Sequence, residues 1–247
     1  MHRFFIDKDQ ISANEIFIIG SDVKHIRDVI RLRKDEEIEI SCNGITYLCT
    51  IKDILKDKII TSIINSKIGA NESKVEVVLF QGLSKGNKME LIFQKGTEVG
   101  IKEFYPVATH RSVVKIKEIK KEQSKVERWQ LIVDEASKQS KRDYIPEVKG
   151  IISFDDMIEI LKGEDNILVP YEDEAVHTIK EGLVDLKTNK INVVIGPEGG
   201  FELSEIQKLK EIGSKIVTLG PRILRTETAG LVASTIILYE VGNLGVI

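Results

Sequence analysis

The chain contains 247 residues, of which 42% are hydrophobic and 30% are charged, as expected for a globular protein with one large domain or two smaller ones. Its net charge of −3 does not by itself indicate a partner, and no apolar run approaches the roughly 18 residues that span a membrane. The N-terminal sequence MHRFFIDKDQ lacks the long apolar core of a signal peptide, so a cytoplasmic protein is expected.

A small β-rich domain is predicted over residues 1–70. The segment SDVKHIRDVIRLRKDEE predicts a short helix with Val23, Ile26 and Ile30 on one face. A hairpin in EIEISCNGITYLCTI and a β-branched strand in IITSIIN follow it. The sequence SKIGANESK, residues 66–74, is polar and contains glycine, so it is predicted to be a linker.

The predicted hairpin, residues 37–51, has an Asn-Gly pair typical of a two-residue turn. In the register that this turn sets, Cys42 faces Ile45 and Cys49 lies opposite Ile38. The two thiols are therefore not cross-strand partners, and no disulfide is expected between them. Two cysteines with this spacing also make no metal site, so no metal is predicted.

From residue 75 onwards, predicted strands alternate with predicted helices. The strands are KVEVVLFQGL, EFYPVATH, DNILVP, INVVIG and SKIVTLG. The helices are NKMELIFQKGTEVGI, KEQSKVERWQLIVDEASKQSKR (121–142), ELSEIQKLKEIG and TETAGLVASTIILYEVG. The third helix has a capping-box pattern from Ser204 to Gln207 and ends at Gly213. This alternation predicts an α/β domain with a mostly parallel sheet over residues 75–247.

Two further features concern possible partners. Residues 81–142 hold 14 Lys and Arg against 8 Asp and Glu, whereas residues 143–247 hold 10 against 18. A basic region in an acidic chain is compatible with nucleic-acid binding, and a solvated helical surface is the alternative.

The last predicted helix carries Glu240 as its only charge from Ala229 to Val241. Such a helix is buried on most sides, which favours a homodimer interface, with a central core helix as the alternative.

Three predicted strand ends have unusual sequences: LVPYEDE (168–174), IGPEGGF (195–201) and LGPRILRTETAG (219–230). Ligands of open α/β sheets bind beyond the carboxyl ends of strands, yet neither a dinucleotide fingerprint nor a P-loop is present. In IGPEGGF, Pro197 removes a backbone donor and Glu198 adds a negative charge. A neutral or cationic ligand therefore fits better than phosphate. Alternatively, Glu198 bonds the N-terminus of the following helix.

The third strand end carries two arginines beside a helix start. Arg222 and Arg225 are suited to bind phosphate or to stabilise a developing negative charge. Thr226 is a natural N-cap, and Glu227 lies in the favourable first turn. Capping explains the last two residues, but positive charge is unfavourable at a helix N-terminus. The arginines therefore favour a functional role.

The pair IGPEGGF and LGPRILRTETA closely resembles the RsmE family of SPOUT-class RNA methyltransferases. The resemblance covers nearly the whole chain, including HIRDVIRLRKDEEI, KGNKMELIFQKGTEVGI and RWQLIVDEASKQSKR. It implies methylation of N3 of a uridine in 16S ribosomal RNA, free or in the assembled 30S subunit, with S-adenosylmethionine as cofactor. It also implies a PUA-like β-barrel at the N-terminus, a C-terminal α/β domain with a trefoil knot, and a homodimer. Two positions depart from the family: Gly96 stands where alanine is frequent, and Lys141 where glycine is common.

The resemblance also implies site residues. By motif position, the cofactor would contact Leu168, Val169, Pro170, Tyr171, Ile195, Gly196, Pro197, Gly199, Leu219, Gly220, Ile223, Leu224 and Thr226. Arg225 would stabilise charge on the uridine or bind its phosphate, and Glu198 and Glu227 are weaker candidates as proton acceptors or orienters of Arg225. Expected phosphate contacts of RNA are Arg27, Arg31, Arg33, Lys85, Lys88, Arg111, Lys138, Lys141 and Arg142.

Three other functions are alternatives to this one. A related SPOUT enzyme that methylates ribose 2′-OH would use the same loops. A non-enzymatic RNA-binding protein would not bind the cofactor. A nucleotide-dependent dehydrogenase is nearly excluded, because the fingerprint is missing.

Overall fold

The computed structural model describes residues 1–112 and 124–245. The chain divides into two compact units. The first unit comprises Met1–Glu72 and Ser137–Ile145, and the second comprises Ser73–Ala136 and Pro146–Ile247. The sequence pattern alone placed residues 137–145 with the second domain, so this return of the chain to the first unit is a finding of the structure.

A mostly antiparallel sheet forms the first unit. Its strands are β1 (Arg3–Phe5), β2 (Ile11–Ser12), β3 (Glu15–Ile19), β4 (Glu37–Cys42), β5 (Ile45–Ile54) and β6 (Lys58–Ile68), in the order β1-β4-β5-β6-β3-β2. Only the pairing of β1 with β4 is parallel among these strands of the described chain. Alternate residues of the strands, such as Phe4, Ile16, Ile38 and Ile51, bury one face of the sheet in a common core.

The predicted hairpin is confirmed in its register. β4 and β5 pair so that Cys42 faces Ile45 and Cys49 lies opposite Ile38. Both thiols are buried and free. Burial raises the pKa of Cys49 to about 11, so this thiol stays protonated and unreactive at neutral pH.

The predicted helix before the hairpin is shorter and less regular than the pattern indicated. It consists of α1 (Ser21–Lys24), which continues as a π-helix over His25–Ile30. Val23 and Ile26 are buried in the core and Ile30 packs against it, so the predicted apolar face is confirmed.

The predicted linker, residues 66–74, is partly ordered structure. Its first three residues belong to β6. The backbone N–H of Asn71 donates to Oδ2 of Asp143 at 2.7 Å, and Glu72 pairs with Arg142 at 2.7 Å. These bonds fix the chain where a free linker was expected.

A parallel sheet forms the second unit. Its strands are β7 (Glu76–Gly82), β8 (Glu103–Ala108), β9 (Glu147–Val148), β10 (Ile152–Ser153), β11 (Ile167–Pro170), β12 (Lys190–Ile195) and β13 (Lys215–Val217). The order is β10-β8-β7-β12-β11-β13, with β9 paired to β8. Both faces are covered, and β7 and β12 are apolar along nearly their whole length, as expected for buried parallel strands. The trefoil knot implied by the resemblance stays a prediction.

The helices that flank this sheet follow the sequence pattern. They are α2 (Lys88–Val99), α3 (Val126–Gln139), α4 (Phe154–Leu161), α5 (Ile179–Gly182), α6 (Leu203–Glu211) and α7 (Thr226–Glu240). The helix predicted over 121–142 is described from Val126, and residues 121–123 lie outside the described ranges.

Two predicted helix caps are wrong. Helix α6 does not begin at Ser204: its N-cap is Glu202, whose N–H donates to the Glu205 carboxylate at 2.9 Å. Helix α7 has Arg225 as its N-cap, so Thr226 is the first helical residue. In both places a side chain outside the usual capping set occupies the cap. At α7 the reason is a tertiary contact that engages the hydroxyl of Thr226.

Candidate active site

The candidate site lies where three neighbouring parallel strands end. β11 lies between β12 and β13, and the three strands end at Pro170, Ile195 and Val217. The carboxyl ends of parallel strands share one edge of a sheet, so the loops LVPYEDE, IGPEGGF and LGPRILRTETAG meet there. Two adjoining cavities of about 440 Å³ and 330 Å³ lie between these loops. They are called the larger and the smaller cavity below.

Most of the residues predicted to hold the cofactor line these cavities. The larger cavity is lined by Pro170, Tyr171, Leu219, Gly220, Ile223 and Leu224 from that set. The smaller cavity is lined by Pro170, Ile195, Gly196, Pro197, Ile223, Leu224 and Thr226. Leu168 and Val169 are instead buried within the sheet, and Gly199 accepts a hydrogen bond from Arg111, so these three line neither cavity.

Thr226 joins two of the loops. Its hydroxyl donates to the carbonyl oxygen of Gly196 at 2.6 Å and accepts from Nε2 of Gln81 at 2.8 Å. Gln81 is fully buried near the end of β7, and Thr226 is buried at the start of α7. This bond takes the hydroxyl that was expected to cap the helix, and it fixes the second loop against the third.

Glu198 holds the loop before α2 and does not cap the helix that follows it. Its Oε1 accepts from the backbone N–H of Lys85 at 3.0 Å and pairs with the ammonium of Lys88 at 3.2 Å. The same ammonium lies 3.5 Å from Oε2 of Glu227. Lys88 therefore sits between two carboxylates, and both it and Glu198 line the smaller cavity.

The charges of this group are fixed at neutral pH. The hydrogen bond to Glu198 raises the pKa of Lys88 above its ordinary value. Burial alone would raise the pKa of Glu198, but hydrogen bonds from backbone N–H groups and from Lys88 hold it below its ordinary value. Lys88 is therefore a permanent cation, and Glu198 is a weak base.

The two arginines of the third loop lie at the cavity mouths. Arg222 lines the larger cavity, and Arg225 lines the smaller one. The Arg225 side chain is 83% exposed, and its Nη1 is 4.0 Å from Oε1 of Glu227. Arg225 is thus free to reach a ligand, whereas Glu227 is largely buried beneath it and beside Lys88.

The RNA-contact residues predicted in the second unit lie near the same edge. Lys85 is exposed in the loop before α2. Arg111 donates to the carbonyl oxygen of Gly199 at 3.1 Å and lies 3.8 Å from Glu202, with its side chain half exposed. Lys88 belongs to the cavity itself.

The RNA-contact residues predicted in the first unit differ in accessibility. Arg27 makes a bidentate pair with its neighbour Asp28, and Arg31 and Arg33 are partly or fully exposed. Lys138 pairs with Asp22 at 2.7 Å and is largely covered. Lys141 is half exposed, pairs with Glu39 at 3.3 Å, and has a left-handed backbone with φ 58°, a conformation that suits the glycine common in the resembling family.

The expected phosphate contact is wrong for Arg142. This side chain is buried, and it forms a bidentate pair with Glu72 at 2.8 and 2.7 Å. A positive charge that already has a buried partner does not reach an RNA backbone, so Arg142 has a structural role within the first unit.

Two site residues escaped the sequence prediction. Gln81 holds Thr226, and Glu172 lines both cavities. A signal existed for each residue: Gln81 is a polar residue in an otherwise apolar buried strand, and Glu172 follows β11 within LVPYEDE.

Neither a metal site nor a membrane span is found in the part of the chain that the structure describes. No group of three His, Cys, Asp or Glu side chains among those residues could hold a metal ion. In the same ranges, no helix is both long enough and apolar enough to cross a membrane.

Comparison with known proteins identifies the family. A family model described as RNA methyltransferase domain matches residues 71–238, and one described as RNA methyltransferase PUA domain matches residues 18–64. Ribosomal RNA small subunit methyltransferase E of Bacillus subtilis is 37% identical over 97% of this chain and 97% of that protein. The chain belongs to this family. The family, the α/β fold and the PUA-like N-terminal domain predicted from the sequence are thereby confirmed.

Solved structures place the cofactor in this family. Ribosomal RNA small subunit methyltransferase E of Neisseria gonorrhoeae, crystallised with S-adenosyl methionine, has a TM-score of 0.85 at 29% identity, over 98% of this chain and 99% of that one. A Legionella pneumophila protein, also solved with bound SAM, has a TM-score of 0.81 at 26% identity, over 97% and 98%. Two structural neighbours of the methyltransferase E family member described here thus contain the predicted cofactor.

Proposed function

We propose that the protein transfers a methyl group from S-adenosylmethionine to N3 of a specific uridine in 16S ribosomal RNA. The observation that carries this proposal is the position of Lys88, a permanent cation on the wall of the smaller cavity, beside the cofactor loops and the exposed Arg225. Cations at this point suit a substrate that becomes negatively charged during reaction.

The residues of the two cavities fit S-adenosylmethionine. The cofactor carries no phosphate, and the loops offer apolar side chains, backbone groups of Gly196 and Gly220, and the ionisable groups Glu172 and Arg222. Arg222 suits the carboxylate of the methionine part, and the apolar walls suit the adenosine. When bound, the cofactor supplies an electrophilic methyl group on a sulfonium.

The chain's own residues then act on the uridine. N3 becomes nucleophilic when its proton leaves, and the base becomes an anion. Lys88 and Arg225 stabilise that charge and orient the base. Glu198 acts as a positioning residue, because its lowered pKa makes it a poor proton acceptor and its hydrogen bonds hold Lys85 and Lys88. Water in the open cleft accepts the proton.

The first unit is proposed to bind ribosomal RNA, since the PUA-domain match lies there and Arg27, Arg31 and Arg33 are accessible on it. The target base is presented unpaired or flipped, because N3 is covered in a base pair. The reaction takes place in the cytoplasm, on free 16S RNA or on the 30S subunit.

A homodimer is part of the proposal. Helix α7 buries Ala233 and Ile237 against the rest of the second unit, whereas Val232 and Ile236 keep some exposure and Tyr239 is 69% exposed. An apolar helix face that its own chain leaves open suits the same face of a second copy. Sedimentation equilibrium tests this point.

Methyl transfer to 16S RNA that lacks the modification tests the function. Purified protein, labelled S-adenosylmethionine and either free RNA or 30S subunits are incubated, and digested RNA is read by mass spectrometry. A methyl group on the uracil base supports the proposal. A methyl group on ribose 2′-OH would favour the related SPOUT activity, and the absence of transfer to either substrate contradicts the proposal.

A further inference from the structure

The two cavities meet at a junction with an unusual composition. Five residues line both cavities: Pro170, Glu172, Ile223, Leu224 and Ala229. Four of them are apolar, and Glu172 is the one ionisable side chain that the two linings share among the residues the structure describes. A ligand that fills both cavities passes its middle part through this junction.

The charge of Glu172 is available to such a ligand. From the described residues, no hydrogen bond or ion pair reaches its carboxylate. The other acidic residues of the cavities are engaged: Glu174 accepts from the backbone N–H groups two and three residues further along the chain, and Glu198 pairs with Lys88. The junction therefore holds an uncompensated negative charge beside apolar walls.

The carboxylate of Glu172 lies against the second loop. Gly200 has a left-handed backbone with φ 68°, and a Cβ built on it would overlap Oε1 of Glu172. The carboxylate thus lies directly against the backbone of GPEGG, in space that only a glycine leaves open.

We propose that Glu172 faces the sulfonium of S-adenosylmethionine and makes the site prefer this cofactor over S-adenosylhomocysteine. The inference rests on the proposed function, because it takes S-adenosylmethionine as the ligand. In that cofactor the sulfur joins the adenosyl and methionine parts, so it is the middle of the molecule and belongs at the junction. Glu172 is exposed in the free protein. A ligand that fills the junction excludes water from between the carboxylate and the sulfonium, which strengthens their attraction.

The preference follows from charge balance. Loss of the methyl group turns the positively charged sulfonium into a neutral sulfide, and the bond pair of the broken S–C bond stays on sulfur. The attraction to Glu172 is then lost, which favours release of the by-product. Glu172 is thus a specificity-determining residue for cofactor over product.

Calorimetry with both ligands tests this role. In Glu172→Gln, the Kd of S-adenosylmethionine is expected to rise about tenfold, while that of S-adenosylhomocysteine changes less than about twofold. The matched control is Asp173→Asn, which removes the same charge one residue away. Asp173 accepts a hydrogen bond from the Tyr171 hydroxyl at 3.0 Å and lines neither cavity. In Asp173→Asn the ratio of the Kd of S-adenosylhomocysteine to the Kd of S-adenosylmethionine should therefore equal that of the wild type.

Other results would overturn the inference. If Glu172→Gln loses affinity equally for both ligands, the carboxylate contacts a part that both ligands share, such as the ribose hydroxyls. If Asp173→Asn changes the ratio of the two Kd values as much as Glu172→Gln does, the effect comes from surface charge in general. If Glu172→Gln does not fold, Glu172→Asp, which keeps the charge, must retain the wild-type preference. Wild-type protein that binds neither ligand would instead contradict the proposed function.

Discussion

The hydroxyl of Thr226 donates a 2.6 Å hydrogen bond to the carbonyl oxygen of Gly196, which joins the start of helix α7 to the end of strand β12. Two loops about 30 residues apart in sequence are thereby held at a fixed separation. The smaller cavity lies between them, so its shape depends on one buried side-chain hydroxyl.

Replacement of Thr226 by valine should damage both stability and cofactor binding. Valine keeps the shape but removes the hydroxyl partner of the Gly196 carbonyl and one of the two acceptors of Gln81 Nε2, which costs about 1–3 kcal/mol. Urea unfolding and calorimetry with S-adenosylmethionine measure the two effects. Thr226→Ser keeps the hydroxyl and is the control. Wild-type stability in Thr226→Val would show that this hydrogen bond does not stabilise the fold.

Replacement of Lys88 by methionine should lower kcat by about 100-fold, because one stabiliser of the uridine anion is lost. The Kd of S-adenosylmethionine should stay near the wild-type value. Lys95→Met is the control, because Lys95 lies in the same helix and pairs with Glu98 away from the cavities, and this variant should retain activity. Lys88→Arg should recover part of the lost rate, and a Lys88→Met protein with normal turnover would refute the role of this cation.

Replacement of Arg225 by alanine should abolish most methyl transfer while cofactor affinity is retained. The side chain is exposed at the mouth of the smaller cavity, where we expect it to reach the nucleotide and not the cofactor. Lys208→Ala removes an exposed cation that pairs with Asp155 and serves as the control. Single-turnover assays with saturating RNA separate binding from chemistry, and unchanged rates would exclude Arg225.

Replacement of Glu72 by glutamine should destabilise the first unit in a pH-dependent manner. Burial alone would raise the pKa of Glu72, but Arg142 and two backbone N–H groups hold it below its ordinary value. A lowered folded-state pKa gives stability that is present above the unfolded pKa and is lost as the pH falls through the folded one. At pH 7 the variant should lose about 3 kcal/mol, because Arg142 remains buried without its partner. The difference in urea midpoint between wild type and variant should shrink as the pH falls below the unfolded-state pKa of about 4.3 and through the lower folded-state pKa. A constant difference would contradict this assignment.

Replacement of Gly96 by alanine, the residue frequent in the resembling family, should destabilise this chain. Alanine favours a helix by about 1 kcal/mol, but its Cβ would lie 2.8 Å from both Ile101 and the buried Phe104 ring. Overpacking of this kind costs about 1–3 kcal/mol. In a double-mutant cycle measured by urea unfolding, Phe104→Leu should recover part of the loss. Simple additivity of the two changes would show that the ring is not the obstacle.

The parts of this structure that could be predicted from sequence depend on local chemistry. The Asn-Gly turn set the register of the hairpin, so the positions of Cys42 and Cys49 followed directly. Alternating strands and helices predicted the parallel sheet, and its carboxyl edge located the three loops.

The parts that could not be predicted depend on contacts between distant residues. Thr226 has the chemistry of an N-cap, but the carbonyl of Gly196, 30 residues away, takes its hydroxyl. Charge marked Arg142 as an RNA contact, because a sequence does not reveal that Glu72 covers it. The acidic side chain of Glu198 was visible, but its partner Lys88 lies 110 residues earlier in the chain and was assigned to RNA alone.

The return of residues 137–145 to the first unit has a consequence for biosynthesis. Arg3, at the start of the chain, donates to Asp143 at 3.1 Å and to the carbonyl oxygens of Lys141 and Arg142. During synthesis the Arg3 guanidinium therefore has no access to these partners until 140 further residues have been added. The first unit is completed only after Ser73–Ala136 of the second unit have been synthesised.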